Sequence, residues 1–147
     1  MPKDVLVTEA LALQQQGHTY VDVRSMAEYG GGHPAGAVNV PLLDRDAFGQ
    51  MAPNPDFVRV MQANFQPDAK LLIGCQVGGR SARAAQVLEA FGFSDVTNVK
   101  GGFGGARDPM TGRAAAPGWV ESGLPVETAS PTGLSYADLV AKADGQA

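Results

Sequence analysis

An α/β fold with a mainly parallel sheet covered by helices is predicted by two features of this 147-residue chain. Short strand-type runs, Tyr20–Val23, Lys70–Gly74 and Val96–Val99, alternate with segments whose apolar residues recur at helical spacing. Repeated strand–helix–strand units need crossovers between parallel strands, which lay helices over the sheet. Composition agrees with this reading. With 44% hydrophobic and 18% charged residues, one domain of this length buries roughly 68–70% of the surface its unfolded chain exposes. The 19 glycines and 10 prolines stay below the ~25–30% of low-complexity chains.

In chain order, Val5–Val7 reads as a short edge strand. Thr8 then offers an N-cap, and Gly17 a stop, for a helix over Glu9–Gln16. Tyr20–Val23 is β-branched and aromatic, as a strand requires. Glycines at 30, 31, 32 and 36, with Pro34, mark a tight loop before a second short run, Ala37–Val40. Asn54–Pro55 has the form of an N-cap followed by proline at the first helical position. Behind it Phe57, Val60, Met61 and Phe65 make one apolar face.

Lys70–Gly74 is an apolar run of the kind buried in a parallel sheet. Cys75 lies at its C-terminal end, and the stretch Cys75–Ser81 leads into a helix with Ala84, Val87, Leu88 and Phe91 on one side. Gly92 suits its left-handed cap, with Phe93 folding back on the last turn. Val96–Val99 is a further strand. From Gly101 to Gly118 the chain has six glycines, four alanines and two prolines, which reads as a long loop. Beyond Gly123–Leu124–Pro125 comes a Thr/Ser/Pro linker. Ser135 then caps a short helix with Tyr136, Leu139, Val140 and Ala143 on one face.

Several function classes are disfavoured. Eleven basic against 15 acidic residues give a net charge of −4, without the basic footprint of non-specific nucleic-acid binding. Runs such as Leu71–Ile73 fall far short of the ~20 apolar residues of a membrane helix. The start of the chain lacks a signal-peptide pattern, so a cytoplasmic location is expected. One cysteine permits neither a disulfide framework nor a thiolate-rich zinc site.

Chemistry concentrates at Cys75. Ligands of parallel sheets bind beyond the carboxyl ends of the strands, where this cysteine falls. Backbone N–H groups of the following loop can converge on its sulfur, and a helix N-terminus adds positive potential; both favour thiolate over thiol. Gly78 and Gly79 let the backbone curl around the sulfur, and Arg80 supplies a cation that either binds an anion or pairs with an acid such as Glu28. Such a loop suits covalent chemistry at sulfur.

Cys75–x–x–Gly78–x–Arg80–Ser81 resembles the active-site loop of rhodanese-homology domains, a family of sulfurtransferases. Asp22–Val23–Arg24, then Glu28–Tyr29, Gly32–His33, Gly36–Ala37 and Asn39–Val40–Pro41, is similar to that family's N-terminal motif. Leu88, Gly92–Phe93, Val96, Asn98–Val99 and Gly101–Gly102 match the stretch after its active-site helix, and Trp119 with Gly123–Val126 its closing segment. The resemblance runs from about Val5 to Val126. It implies a three-layer fold with helices on both faces of the sheet, a domain over 1–127 with a glycine-rich insertion at about 103–118, and a linker with a short helix over 128–147.

The resemblance further implies a persulfide relay. Cys75 would take a sulfane sulfur from a small anionic donor such as thiosulfate and pass it to a thiol or protein acceptor, or to cyanide in vitro, with no metal or organic cofactor. Gln76, Val77, Gly78, Gly79, Arg80 and Ser81 would hold the persulfide or substrate. Phosphatases of the same fold carry five residues between cysteine and arginine, whereas four, Gln76 to Gly79, intervene here. That shorter ring suits one sulfur better than a tetrahedral phosphate or arsenate. A cysteine-dependent phosphatase or arsenate reductase, and a redox-sensing or binding module, are the alternative readings.

Asp22, Arg24 and Glu28 are expected to support the Cys75 loop through ion pairs and hydrogen bonds. His33, between Gly32 and Pro34, reads as a loop-fixing residue, His18 as a solvated one, and Trp119 as core packing. Trp119 follows Gly102 by seventeen positions, more than the family pattern has, so an insertion with Arg107, Asp108 and Arg113 intervenes. It either overhangs the pocket as a lid, its arginines drawing in an anionic donor, or forms a surface loop.

Overall fold

A computed structural model describes residues 3–107, 110–128 and 133–145. In chain order the elements are β1 (Lys3–Val5), α1 (Val7–Gln15), β2 (Thr19–Asp22), α2 (Met26–Gly30), β3 (His33–Pro34), β4 (Val38–Asn39), β5 (Leu43–Arg45), β6 (Met51–Pro53), α3 (Phe57–Asn64), β7 (Leu71–Gly74), α4 (Gly79–Ala90), β8 (Val96–Val99), β9 (Ala106–Arg107), β10 (Ala114–Ala116), β11 (Val126–Glu127) and α5 (Tyr136–Ala143). Five strands form a central sheet in the order β1-β8-β7-β2-β4, and every pairing in it is parallel. Short antiparallel pairs, β3 with β11, β5 with β6 and β9 with β10, lie outside it.

Strand alternation divides the interior into two cores. Val21, Leu71 and Ile73 pack with Phe57, Val60 and Met61 of α3, Ala84, Ala85 and Leu88 of α4, and Leu139 of α5. Their neighbours Tyr20 and Leu72 point the other way, to Val7 and Ala10 of α1, Tyr29 of α2, and Trp119. Helices therefore cover both faces, giving three layers. In register, Asp22 stands beside Gly74, so the carboxyl ends of β2 and β7 coincide, with Cys75 one residue beyond.

Several sequence expectations shift by a few residues for physical reasons. The first strand lies at Lys3–Val5, and α1 starts at Val7 with Leu6 as its N-cap, so Thr8 is inside the helix. Asn54 does not cap α3 directly. Its Oδ1 accepts the Asp56 N–H at 3.0 Å while its Nδ2 donates to the Pro41 carbonyl and Tyr136 hydroxyl, fixing the turn before the helix. Gly92 has φ +100°, and the Phe93 N–H returns to the Leu88 carbonyl at 3.1 Å, closing α4 as its sequence predicts. Ser135 caps α5 by accepting the Asp138 N–H.

Two stretches are more structured than their composition suggests. Helix α2 runs into the first of the glycines that mark a loop and begins with a capping box: the Ser25 side chain accepts from the Glu28 N–H, and the Glu28 side chain accepts from the Ser25 N–H. The Gly101–Gly118 stretch carries the β9–β10 ribbon. Its ends meet, since Trp119 N–H donates to the Gly102 carbonyl at 2.9 Å and Val120 N–H to that of Phe103 at 3.1 Å. The insertion is thus closed at its neck, which returns Trp119 beside Gly102 despite seventeen intervening steps. Among the described residues, no helix is long and apolar enough to cross a membrane.

Candidate active site

Cys75 is 1% exposed and sits between the end of β7 and the start of α4. The helix begins at Gly79, so Gly79, Arg80 and Ser81 form its first turn rather than a loop. Gly78 is the N-cap, at φ +109°, a conformation that favours glycine, and it has no side chain to satisfy the free N–H groups of that turn. The sulfur of Cys75 does so instead. Sγ accepts the N–H of Gly78 at 3.0 Å and that of Ser81, third in the helix, at 3.3 Å. A polarizable atom that gains stability with negative charge thus occupies the place of an Asp or Ser cap. Val77, at the crown of the turn, is 55% exposed.

A second turn clamps the loop from behind. After β8 the chain bends at Gly101–Gly104, and Phe103 N–H donates to the Cys75 carbonyl and Gly104 N–H to that of Gln76, both at 2.8 Å. Gly102, at φ +59°, lies against the Cys75 carbonyl so closely that a Cβ there would overlap it.

Arg24 ties the same loop to β2. Its guanidinium donates to both carboxylate oxygens of Asp22, with both side chains buried, then to the Gly32 carbonyl at 2.6 Å and the Gln76 Oε1 at 3.1 Å. Its face rests on Phe103, 4.4 Å from the ring centroid. Asn39 completes the corner by donating to the carbonyls of Asp22 and Arg24. All three guanidinium nitrogens therefore donate, which offsets the desolvation of the pair.

Glu28 brackets the loop on its outer side. Arg80 Nη1 donates to Glu28 Oε1 at 2.7 Å and Nη2 to Oε2 at 3.0 Å, a fork-to-fork pair. The Arg80 bonds hold the Glu28 carboxyl well down, from 4.5 to about 2, against the opposing effect of burial and with help from the Ser25 N–H. Arg80 is correspondingly raised, chiefly by its bonds to Glu28. Asp22, Arg24 and Glu28 thus converge on the Cys75 loop through Gln76 and Arg80.

His33 is buried, stacked on Tyr29 with ring centroids 3.7 Å apart; its Nδ1 lies 2.8 Å from the Tyr29 carbonyl and its Nε2 3.3 Å from Glu127. These contacts fix the turn at β3. Trp119 is fully buried edge-on to Tyr20, its Nε1–H donating to the Pro125 carbonyl. His18 is half-buried rather than solvated, because it lines a groove with Asn64, Phe65 and Leu139. Arg107 pairs with Glu121 at 3.2 Å, and Glu121 also accepts the Gly118 N–H, so that arginine braces the ribbon against its own neck. Arg113 is exposed, and its described contact is from its N–H to Thr111 Oγ1. Asp108 lies outside the described residues.

Three contributors carried little signal in the sequence. Phe103 was hidden among glycines. Asn98 and Asp4 form a polar chain behind the sulfur: the Ser81 hydroxyl donates to Asn98 Oδ1 at 2.6 Å, and Asn98 Nδ2 donates to Asp4 Oδ1 at 2.9 Å. Asn98 falls in the motif after the active-site helix, but neither that match nor its place beside Thr97 in the buried run Val96–Val99 pointed to a role behind the sulfur.

Comparison with known proteins matches residues 6–107 to the rhodanese-like domain. The chain is 37% identical over 127 residues to thiosulfate sulfurtransferase 16, chloroplastic, of Arabidopsis thaliana, covering 86% of this chain and 94% of that protein. It is 33% identical over 124 residues to thiosulfate sulfurtransferase 18 of the same plant, covering 83% and 81% respectively. Two further relatives are longer, the chain spanning 62% of each. The crystal structure of Rv0390 from M. tuberculosis superposes with a TM-score of 0.69 at 26% identity, over 86% of this chain and 98% of that one.

Proposed function

The chain belongs to the rhodanese-like domain family, and from that membership we propose that it is a sulfurtransferase whose Cys75 carries sulfur between a small anionic donor and a thiol. The observation that supports this most is the position of Cys75 Sγ, which takes the place of a helix cap and accepts the N–H groups of Gly78 and Ser81. In the reaction, the Cys75 thiolate attacks the outer sulfur of thiosulfate. A Cys75–sulfur bond forms, the sulfur–sulfur bond of the donor breaks, and sulfite leaves with the bonding pair. The outer sulfur of the resulting persulfide bears the negative charge, which the oriented amides and the helix N-terminus favour. A thiolate or cyanide then takes that sulfur and returns Cys75 to thiolate.

The four-residue span from Cys75 to Arg80 supports sulfur over phosphate as the group transferred. So does the engagement of Arg80 by Glu28, because an arginine already forked to a carboxylate is less free to clamp a phosphoryl group.

The test is intact mass after incubation with thiosulfate. Wild type should gain one sulfur atom and lose it on adding cyanide, whereas Cys75→Ser should gain none while keeping its circular dichroism spectrum. Sulfur loading by Cys75→Ser, or hydrolysis of p-nitrophenyl phosphate that depends on Cys75 without any sulfur loading, would remove the proposal.

A further inference from the structure

Asn98 is 5% exposed and joins two groups that no backbone contact brings together. Its Nδ2 donates to Asp4 on the edge strand β1, and its Oδ1 accepts the hydroxyl of Ser81. On its other side Ser81 Oγ lies 3.4 Å from Cys75 Sγ. The polarity of this chain is set at its outer end. A carboxylate only accepts, so Asp4 requires the NH2 of Asn98; the reversed amide would place two oxygens against each other. Asn98 must then present its carbonyl oxygen to Ser81. A hydroxyl has one proton, and the 2.6 Å bond to Asn98 takes it. The Gly78 carbonyl, 3.1 Å from Ser81 Oγ, is a second acceptor. No proton remains for sulfur, so Ser81 turns a lone pair toward Cys75. That arrangement welcomes an S–H donor and opposes a thiolate.

We propose that Asp4 and Asn98 are positioning residues that keep Ser81 a hydrogen-bond acceptor toward Cys75, restraining the resting thiol against the two backbone amides that favour its ionisation. The proposal rests on Cys75 being the reacting atom, as above, and on no particular donor. Two other ionisable groups act on the sulfur, Arg80 of α4 and the Tyr20 phenol of β2, and these are themselves coupled to Glu28, Asp22 and Arg24. Substitution at position 4 leaves all of these in place.

Cys75 is the one cysteine in the chain, so thiolate absorbance in the ultraviolet, corrected with Cys75→Ser, reports its ionisation directly. Asp4→Asn offers an amide that can donate, which lets Asn98 reverse, donate to Ser81 Oγ and free the Ser81 proton, for which the charged sulfur then outcompetes the neutral Gly78 carbonyl. The ionisation midpoint should fall by about 0.5–1 pH unit, roughly a three- to ten-fold gain in thiolate below the midpoint, as for one hydrogen bond gained by an anion. Asp4→Ala, which leaves Asn98 without its fixed outer partner, should shift it the same way. Removing a negative charge would also lower the midpoint, but that effect needs no hydroxyl. In a Ser81→Ala background, therefore, Asp4→Asn should lower the midpoint by that charge effect alone, a smaller fall than in the chain that keeps Ser81. An unchanged midpoint in Asp4→Asn, or the same fall with and without Ser81, would overturn the proposal. The titration contains no sulfur donor, so its outcome is independent of whether thiosulfate loads the enzyme.

Discussion

Glu28 uses one carboxylate for two purposes, closing the capping box of α2 and forking onto Arg80. Its pKa, about 2 in the folded chain against 4.5 ordinarily, has a consequence for stability. The unfolded state binds the proton more readily between those values, so the stabilisation is complete above about 4.5 and is lost as pH falls from there toward 2. Glu28→Gln keeps an oxygen for the cap and loses the charge. Because the Glu28 side chain is 33% exposed and Arg80 23%, screening reduces the pair's worth, to about 1 kcal/mol at neutral pH. Thermal unfolding should show wild type ahead by that amount at neutral pH, with the gap closing in acid; a gap that ignores pH would assign the loss to packing. Residues of this kind were legible in the sequence, because Cys75, Arg80 and the Asp22–Arg24–Glu28 set carry chemistry in their type and spacing. Asp4 and Asn98 were not, since their partnership spans 94 positions and an asparagine in a strand announces nothing about which way its amide points.

Helix starts in this chain do not all carry the usual side-chain cap. Helix α4 starts two residues earlier than Ser81 because the sulfur of Cys75 caps it, and α1 starts ahead of Thr8 although Leu6 provides no side-chain cap. Neither start is marked by a Ser, Thr, Asp or Asn cap, so periodicity located the helices but not their first residues. The Gly101–Gly104 turn, by contrast, depends on tertiary neighbours at its glycines. Gly102 needs both a left-handed backbone and room against the Cys75 carbonyl, whereas Gly104 faces the flexible end of the Gln76 side chain. Gly102→Ala should therefore destabilise the fold by about 2 kcal/mol or more, the left-handed strain plus displacement of backbone, and should slow Cys75 alkylation or sulfur loading by shifting the loop. Gly104→Ala should be milder in stability, because only the Gln76 amide must move off Arg24. Equal losses for the two substitutions in chemical denaturation would refute that distinction.

The molecule as a whole is two cores divided by one sheet, and the class of that architecture was legible from the alternation of strand and helix patterns. What periodicity could not show is which helices share a core. A boundary at 127 makes α5 an appendage to the domain, yet Leu139 is 2% exposed in the same cluster as Phe57 and Met61 of α3, Leu88 of α4 and Cys75 itself. Polar contacts fasten the helix around that side chain: Asn64 Nδ2 donates to the Leu139 carbonyl, Asn54 Nδ2 to the Tyr136 hydroxyl, and Arg59 to Asp144 at 2.8 Å. Arg59 and Asp144 are nearly half exposed and add little, so the apolar contact should dominate. Leu139→Ala removes a fully buried branched side chain and leaves a cavity between α3 and α5, which should cost about 2–5 kcal/mol. Arg59→Ala should change stability by less than about 1 kcal/mol. Because Leu139 and Cys75 belong to one cluster, denaturant unfolding of Leu139→Ala should remain a single transition whether followed by Cys75 accessibility to a thiol reagent or by Trp119 fluorescence from the opposite core. Two separated transitions would mean that α5 unfolds apart from the sheet, and the 1–127 segment would then be a domain that stands alone.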